Sequence, residues 1–159
     1  MENSRIAAPR TTGRPCSVAS ALALVGEKWA LLAVREILLA NRRFDAIARN
    51  TGAPRDILTT RLRALEAAGI LERRQYQDRP PRFEYHLTQP GRDLQPVLQT
   101  LAAWGDRWVE EPPPVIFRHE DHDLDAALVC RHCGDEVLAG SVMPHKHAPG
   151  WDATGPVAR

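Results

Sequence analysis

The stretch from Phe44 to Gly69 constrains this chain more than any other. Phe44 to Asn50 sets Phe44, Ile47 and Ala48 on one helical face, and Thr51-Gly52-Ala53 follows as a tight turn. Pro54 then opens a second helix, where its fixed φ and missing N–H do no harm. That helix runs to about Ala68, stops at Gly69 and carries Leu58, Leu62 and Leu65 as one buried stripe. Two helices joined by a three-residue glycine turn form a helix-turn-helix.

The flanking sequence completes the domain. Upstream, Val18, Ala21, Leu22 and Val25 recur at helical spacing, with Ser17 expected as the cap and Gly26 as the stop. Trp29 to Ala40 is apolar on most of its circumference, which predicts a buried central helix whose Arg35 and Glu36 look outward. Downstream, Leu71 to Tyr76 and Arg82 to Leu87 read as strands. In the second, Phe83, Tyr85 and Leu87 point inward while Arg82, Glu84 and His86 point outward. Gln77-Asp78-Arg79-Pro80-Pro81 is a stiff connection between them. The expected fold is mainly α with a small β-hairpin wing, a winged helix-turn-helix. Thr88 is expected to cap one long helix reaching Trp108, kinked at Pro96, with Leu94, Leu98, Leu101 and Trp108 on one side. Residues 1–15 read as a flexible arm, 16–111 as the body, and 112–159, opened by the polyproline run Pro112-Pro113-Pro114, as an acidic tail.

Charge divides along the same boundary. Residues 1–109 hold 17 Arg and Lys against 11 Asp and Glu, whereas residues 110–159 hold 4 against 9. A basic body suits a phosphate-bearing partner whatever the overall balance. Residues 42–82 alone carry 10 Arg against 5 acidic residues. No run of about 18 apolar residues offers a membrane span, and the N-terminus lacks the apolar core of a signal peptide. A cytoplasmic protein is expected. No Gly-rich phosphate loop or Gly-x-Ser-x-Gly elbow appears, and the one Cys-x-x-Cys sits in no βαβ context, so the chain does not read as an enzyme.

With the leucine stripe turned inward, the opposite face of the second helix presents Arg55, Asp56, Thr59, Thr60 and Arg63. Such a helix enters the major groove. Arg there can grip guanine through two hydrogen bonds, and Thr can donate to a base or pack on a thymine methyl. Arg55, Thr59 and Thr60 are expected nearest base edges, with Arg63 on phosphate. Arg42 and Arg43 precede the first helix of the motif, where free N–H groups favour an anion. Arg79 and Arg82 flank the wing and are placed for the minor groove. Arg61 lies beside the leucines, and snorkelling over the core or pairing with a carboxylate accounts for it equally well.

Taken together, Cys16-Ser-Val, Gly26-Glu-Lys-Trp29, Arg42-Arg43-Phe44, Leu58-Thr-Thr-Arg61-Leu62-Arg63-Ala-Leu65-Glu66, Gly69-Ile-Leu-Glu-Arg73, Pro80-Pro81-Arg82-Phe-Glu-Tyr85 and Leu87-Thr88 resemble the HxlR family of winged-helix regulators over roughly residues 16–108. The resemblance implies a homodimeric repressor or activator that binds double-stranded DNA, with dimer contacts from the first and last body helices; two subunits tied by symmetry are then expected to prefer an inverted-repeat operator. A winged helix used only for protein binding is the alternative; it would carry few basic residues on the recognition helix and wing. Some family members sense oxidants or electrophiles through a cysteine at the place of Cys16, where a helix N-terminus favours thiolate; an inert half-buried thiol is the plain alternative.

Cys130-Arg-His-Cys133-Gly has the spacing of one zinc knuckle. Four ligands are needed, and His119 and His122 are the expected partners of Cys130 and Cys133. A vestigial knuckle and a redox pair are the other readings. For a small-molecule effector, Trp29, Trp104 and Trp108 are candidate pocket residues, with plain core packing as the alternative.

Overall fold

The computed structural model describes residues 5–7, 9, 13–147 and 151. Much of the expected arm therefore lies outside the described residues. The chain order is α1 (Ser17–Val25), α2 (Lys28–Leu38), α3 (Phe44–Thr51), α4 (Arg55–Ala67), β1 (Leu71–Gln77), β2 (Arg82–Leu87), α5 (Gln89–Arg92), α6 (Gln95–Trp108), and the two-residue strands β3 (Arg118–His119) and β4 (His122–Asp123). The body is a winged helix: mainly α, with β1 and β2 as an antiparallel hairpin.

The core forms where α2 lies across α3 and α4. Ala30, Ala33, Val34 and Ile37 of α2 meet Ile47 of α3 and Leu58, Leu62 and Leu65 of α4, all buried. Ala at two of the α2 positions lets the helices approach closely, and each buried leucine contributes roughly 1.5–3 kcal/mol of apolar transfer. Ile70, Leu71 and Leu87 continue this core into the base of the hairpin. The Gly52 and Gly69 positions both adopt left-handed backbone, φ 71° and 70°, as helix-ending residues should. After α4, the N–H groups of Gly69 and Ile70 return to the carbonyls of Glu66 and Leu65, which closes the helix end.

Three local expectations are corrected. Ser17 is the first helical residue of α1; Cys16 occupies the cap position, with no side-chain cap bond. Glu36 does not look outward: it is 3% exposed and hydrogen-bonded on both carboxylate oxygens. A helix apolar on most sides is buried on most sides, so a charge on it is drawn inward and must be paired. The long terminal helix is two elements. Thr88 caps the short α5, accepting from the Gly91 N–H at 3.5 Å, and Pro96 sits in the first turn of α6 rather than kinking it. Pro is at home in that first turn.

The α2 terminus also departs from the expected Ala40. The helix ends at Leu38, and Ala40 takes a left-handed φ of 65°. The N–H groups of Ala40 and Asn41 return to the carbonyls of Ile37 and Glu36. This is a glycine-type helix end built on alanine.

Candidate nucleic-acid interface

The α3–α4 unit stands on the leucine stripe: Leu58, Leu62 and Leu65 are each no more than 1% exposed. With that stripe inward, Arg55, Asp56, Ile57, Thr60 and Arg63 are exposed and Thr59 half-exposed on the opposite side of α4. This is the surface that a helix-turn-helix offers to a groove.

The individual side chains are already held. Arg55 Nη1 donates to Asp45 Oδ1 at 2.8 Å, and its guanidinium lies 4.7 Å from the Phe44 ring centre. The pair is exposed on both sides, so it sets orientation more than stability. Thr59 and Thr60 donate to the carbonyls of Arg55 and Asp56, one turn back, at 2.7 and 3.0 Å. Each hydroxyl oxygen keeps acceptor capacity toward the outside. Arg63 is exposed.

Arg42 and Arg43 separate. Arg42 is exposed, while its carbonyl accepts the Tyr85 N–H at 2.8 Å and so ties the α2–α3 turn to the wing. Arg43 is engaged with the hairpin, Nε to Glu84 Oε1 at 3.1 Å, with its guanidinium 4.6 Å from the Tyr76 ring centre. The structure gives Arg43 a contact that positions the wing. At the wing tip Arg79 and Arg82 are exposed. The hairpin register runs from Leu71 opposite Leu87 to Gln77 opposite Arg82, with an irregularity between Gln75 and Gln77. Arg61 pairs with Glu27 at 3.2 Å, which favours the carboxylate-pairing reading of that residue.

Two groups escaped the sequence reading. Arg49, in the last turn of α3, is a further exposed cation of the motif, inconspicuous among ten arginines. The second is the cluster around Glu36. Arg35 Nε and Nη2 donate to Glu36 Oε1 at 3.0 and 2.7 Å, while the side-chain amides of Asn41 and Asn50 both donate to Oε2 at 2.9 Å. Burial raises the Glu36 pKa, but the Asn50 and Arg35 hydrogen bonds, the Arg35 charge and Asn41 outweigh it, leaving the group below its ordinary value. This carboxylate bolts α2 to α3. A charge in an otherwise apolar helix was the available signal.

The remaining candidates lie apart from this surface. Cys16 is an exposed free thiol at the start of α1. Trp29 packs against the core, whereas Trp104 and Trp108 are exposed on α6, so the three do not enclose a pocket. In the tail, Gly134 takes a φ of 82° and its N–H returns to the Cys130 carbonyl at 2.8 Å, closing a turn. Backbone N–H groups of Cys133 and His132 and the Cys133 side chain hydrogen-bond Cys130, holding its thiol below the usual range. His119 and His122 face one another across the β3–β4 turn, ring centres 5.5 Å apart. The four expected zinc ligands thus remain two pairs on two turns. Among the described residues, no three His, Cys, Asp or Glu gather where they could hold a metal ion. Nor is any single described helix long and apolar enough to cross a membrane.

Comparison with known proteins agrees with this architecture. The HxlR-like helix-turn-helix family matches residues 24–113. An HTH-type transcriptional regulator of Mycobacterium tuberculosis is 44% identical over 141 residues, covering 86% of this chain and 89% of its own. Among solved structures, PA1607, named as a candidate transcription factor, superposes with a TM-score of 0.72 at 25% identity over 83% of this chain and 95% of its own. The oxidized form of the redox regulator HypR superposes at 0.52 and 35% identity, over 60% and 99%. With a winged helix whose α4 rests on a buried leucine stripe, and with a family match across more than half its length, this chain belongs to the HxlR-like helix-turn-helix family of transcriptional regulators.

Proposed function

We propose that the body, residues 16–111, binds a sequence-specific operator in double-stranded DNA as a homodimer, on an inverted repeat. The observation that carries this reading is the exposed Arg55, Thr59, Thr60 and Arg63 face of α4 above a fully buried stripe. Arg55, with Thr59 and Thr60, reads base edges. Arg63 and Arg42 hold phosphate, Arg43 fixes the wing against α3, and Arg79 and Arg82 at the wing reach the adjacent minor groove. The protein acts in the cytoplasm, where its DNA is.

One subunit makes few phosphate contacts and would bind weakly alone. A second subunit converts the next contact into an effectively intramolecular one. Exposed apolar side chains on α1 (Val18 and Leu22) and α6 (Val97, Leu101, Trp104 and Trp108) supply the face for that subunit.

The test is selection of bound fragments from the organism's own genome, followed by gel shifts over a salt series. Arg55→Ala should flatten discrimination between operator and random DNA. Arg79→Ala should weaken both about equally and lower the salt slope by about one. Unchanged affinity and selectivity in both variants would sink the docking.

A second reading has one favouring observation: Cys16 is an exposed thiol at the start of α1, a dimer element, and a redox regulator is among the structural relatives. Oxidation of Cys16 would then alter DNA affinity. Treatment with diamide or a quinone, mass spectrometry and a gel shift together decide it, and unchanged affinity on modification removes it.

A further inference from the structure

The C-terminal end of α2, one side of α6 and the segment after the polyproline run enclose an open cavity of about 390 Å³. This is the lower end of the range for small-molecule sites. Its walls are largely apolar, with Leu38 from α2, Leu98 and Ala102 from α6 and Phe117 from the tail segment. Two charged residues line it, Arg35 and Asp106, and they are not equivalent.

Arg35 is committed. Its guanidinium makes the two bonds to Glu36 described above, so its charge is offset by an adjacent carboxylate. Asp106 is half-buried in the last turn of α6 and has no hydrogen-bond or ion-pair partner among the described residues. A carboxylate near a helix C-terminus is also on the wrong side of the helix dipole, so it gains most from a cation brought to it. Arg35–Glu36 cancel and Asp106 remains, which leaves the cavity one uncompensated negative charge inside apolar walls. Phe117 adds an aromatic ring to the wall, and such a ring can attract a cation through its face.

The cavity is also wired to the reading head. Arg35, in its wall, holds Glu36, and Glu36 Oε2 holds Asn50 of α3 at 2.9 Å. A molecule that packs on Arg35, or sets a positive charge near it, acts on the bonds that fix α3 against α2.

We propose that this cavity is an effector site for a small lipophilic cation, an apolar body bearing a protonated amine that Asp106 receives, and that occupancy changes DNA affinity through Arg35, Glu36 and Asn50. The proposal rests on the DNA-binding reading only for its second half.

The full-length protein should be titrated calorimetrically with 4-phenylbutylamine, 4-phenylbutanol and 4-phenylbutyrate, which share an apolar body and differ in charge. The amine should bind at least about tenfold tighter than the alcohol, as a charged hydrogen bond allows, and the carboxylate weakest. Asp106→Asn should erase that order, and Ala102→Trp, which fills the cavity from the opposite side of the charge question, should weaken all three. Equal binding of amine and carboxylate, or binding indifferent to both variants, overturns the site. In the same samples the amine should shift affinity for a genome-selected fragment, and Asp106→Asn should abolish the shift while leaving ligand-free affinity alone. Binding without a shift overturns the coupling. Failure of the ligand-free protein to bind any duplex would instead overturn the DNA reading and leave the calorimetry standing.

Discussion

The Asn50 side-chain amide donates to the buried carboxylate of Glu36 at 2.9 Å, joining the end of α3 to the last turn of α2. Because the hydrogen bonds hold the Glu36 pKa below its ordinary value, the folded protein binds this proton less readily than the unfolded chain. The resulting stability is fully present above the unfolded value, near 4.3, and is lost as pH falls through the depressed folded value.

Replacement of Glu36 with Gln should therefore have two signatures. At neutral pH the variant loses about 2–4 kcal/mol, since Gln offers one acceptor where two oxygens served and leaves Arg35 without its charge partner. Urea midpoints taken from pH 7 down to pH 3 should fall less steeply for the variant than for the parent chain. Parallel curves would mean that the carboxylate does not supply this linkage.

Gly91 is a close-approach position. A Cβ there would meet the Ile70 carbonyl oxygen at 2.1 Å and Leu87 Cδ2 at 3.1 Å. The obstacle is backbone at the junction of α4, β1 and β2, where Thr88 also donates to the Gly69 and Ile70 carbonyls, and it cannot rotate away. Gly91→Ala should cost about 3 kcal/mol or more, the upper range for overpacking. Gly105, on α6, faces open space, and Gly105→Ala should instead gain about 0.5–1 kcal/mol from helix propensity. Thermal melts of the two variants with opposite signs are the expected result; a neutral Gly91→Ala would show that the hairpin base yields.

Most of the body was legible because its signals are local. Pro54, Gly52 and Gly69 punctuate α3 and α4, and the leucine spacing sets their buried side. What escaped depends on contacts distant in sequence or on geometry without a residue signature. The α2 end was overrun because Ala40, not glycine, takes the left-handed position. Glu36 was turned the wrong way because its partners, Asn41 and Asn50, lie five and fourteen residues on. The exposed face of α4 followed from periodicity, but the engagement of Arg43 by Glu84, forty-one residues away, did not. The tail ligands were joined by spacing alone, and the two turns that carry them stand apart.

In the proposed docking, Asp45 competes with DNA for Arg55. The ion pair is exposed, with side chains 69% and 80% accessible, so its removal should change stability by no more than about 1 kcal/mol. Asp45→Ala also deletes a negative charge from the surface proposed to face the phosphate backbone. Affinity for random duplex should rise several-fold, because electrostatic attraction dominates nonspecific binding, and the operator preference should narrow as Arg55 loses its preset direction. Fluorescence anisotropy on operator and random DNA at two salt concentrations checks both. An unchanged ratio and unchanged nonspecific affinity would place Arg55 away from the bases.

The α6 face gives the proposed dimer its sharpest test. Leu101, Trp104 and Trp108 stand 52%, 58% and 65% exposed on the single chain, and Val18 and Leu22 of α1 add 65% and 55%. Aromatic anchors of this size dominate association energies when a partner covers them. Leu98, by contrast, packs half-buried against the core. Trp104→Asp should therefore leave the fold intact, since that side chain is more than half exposed and lies outside the core, yet place a charge at the centre of the proposed subunit contact. Light scattering should show the parent chain as a dimer and the variant as a monomer at micromolar concentration. Operator affinity should fall at least about a hundredfold with the loss of the second half-site. Circular dichroism of the parent type, a monomer mass and full operator affinity would together sink the two-subunit account, because a single reading head would then suffice.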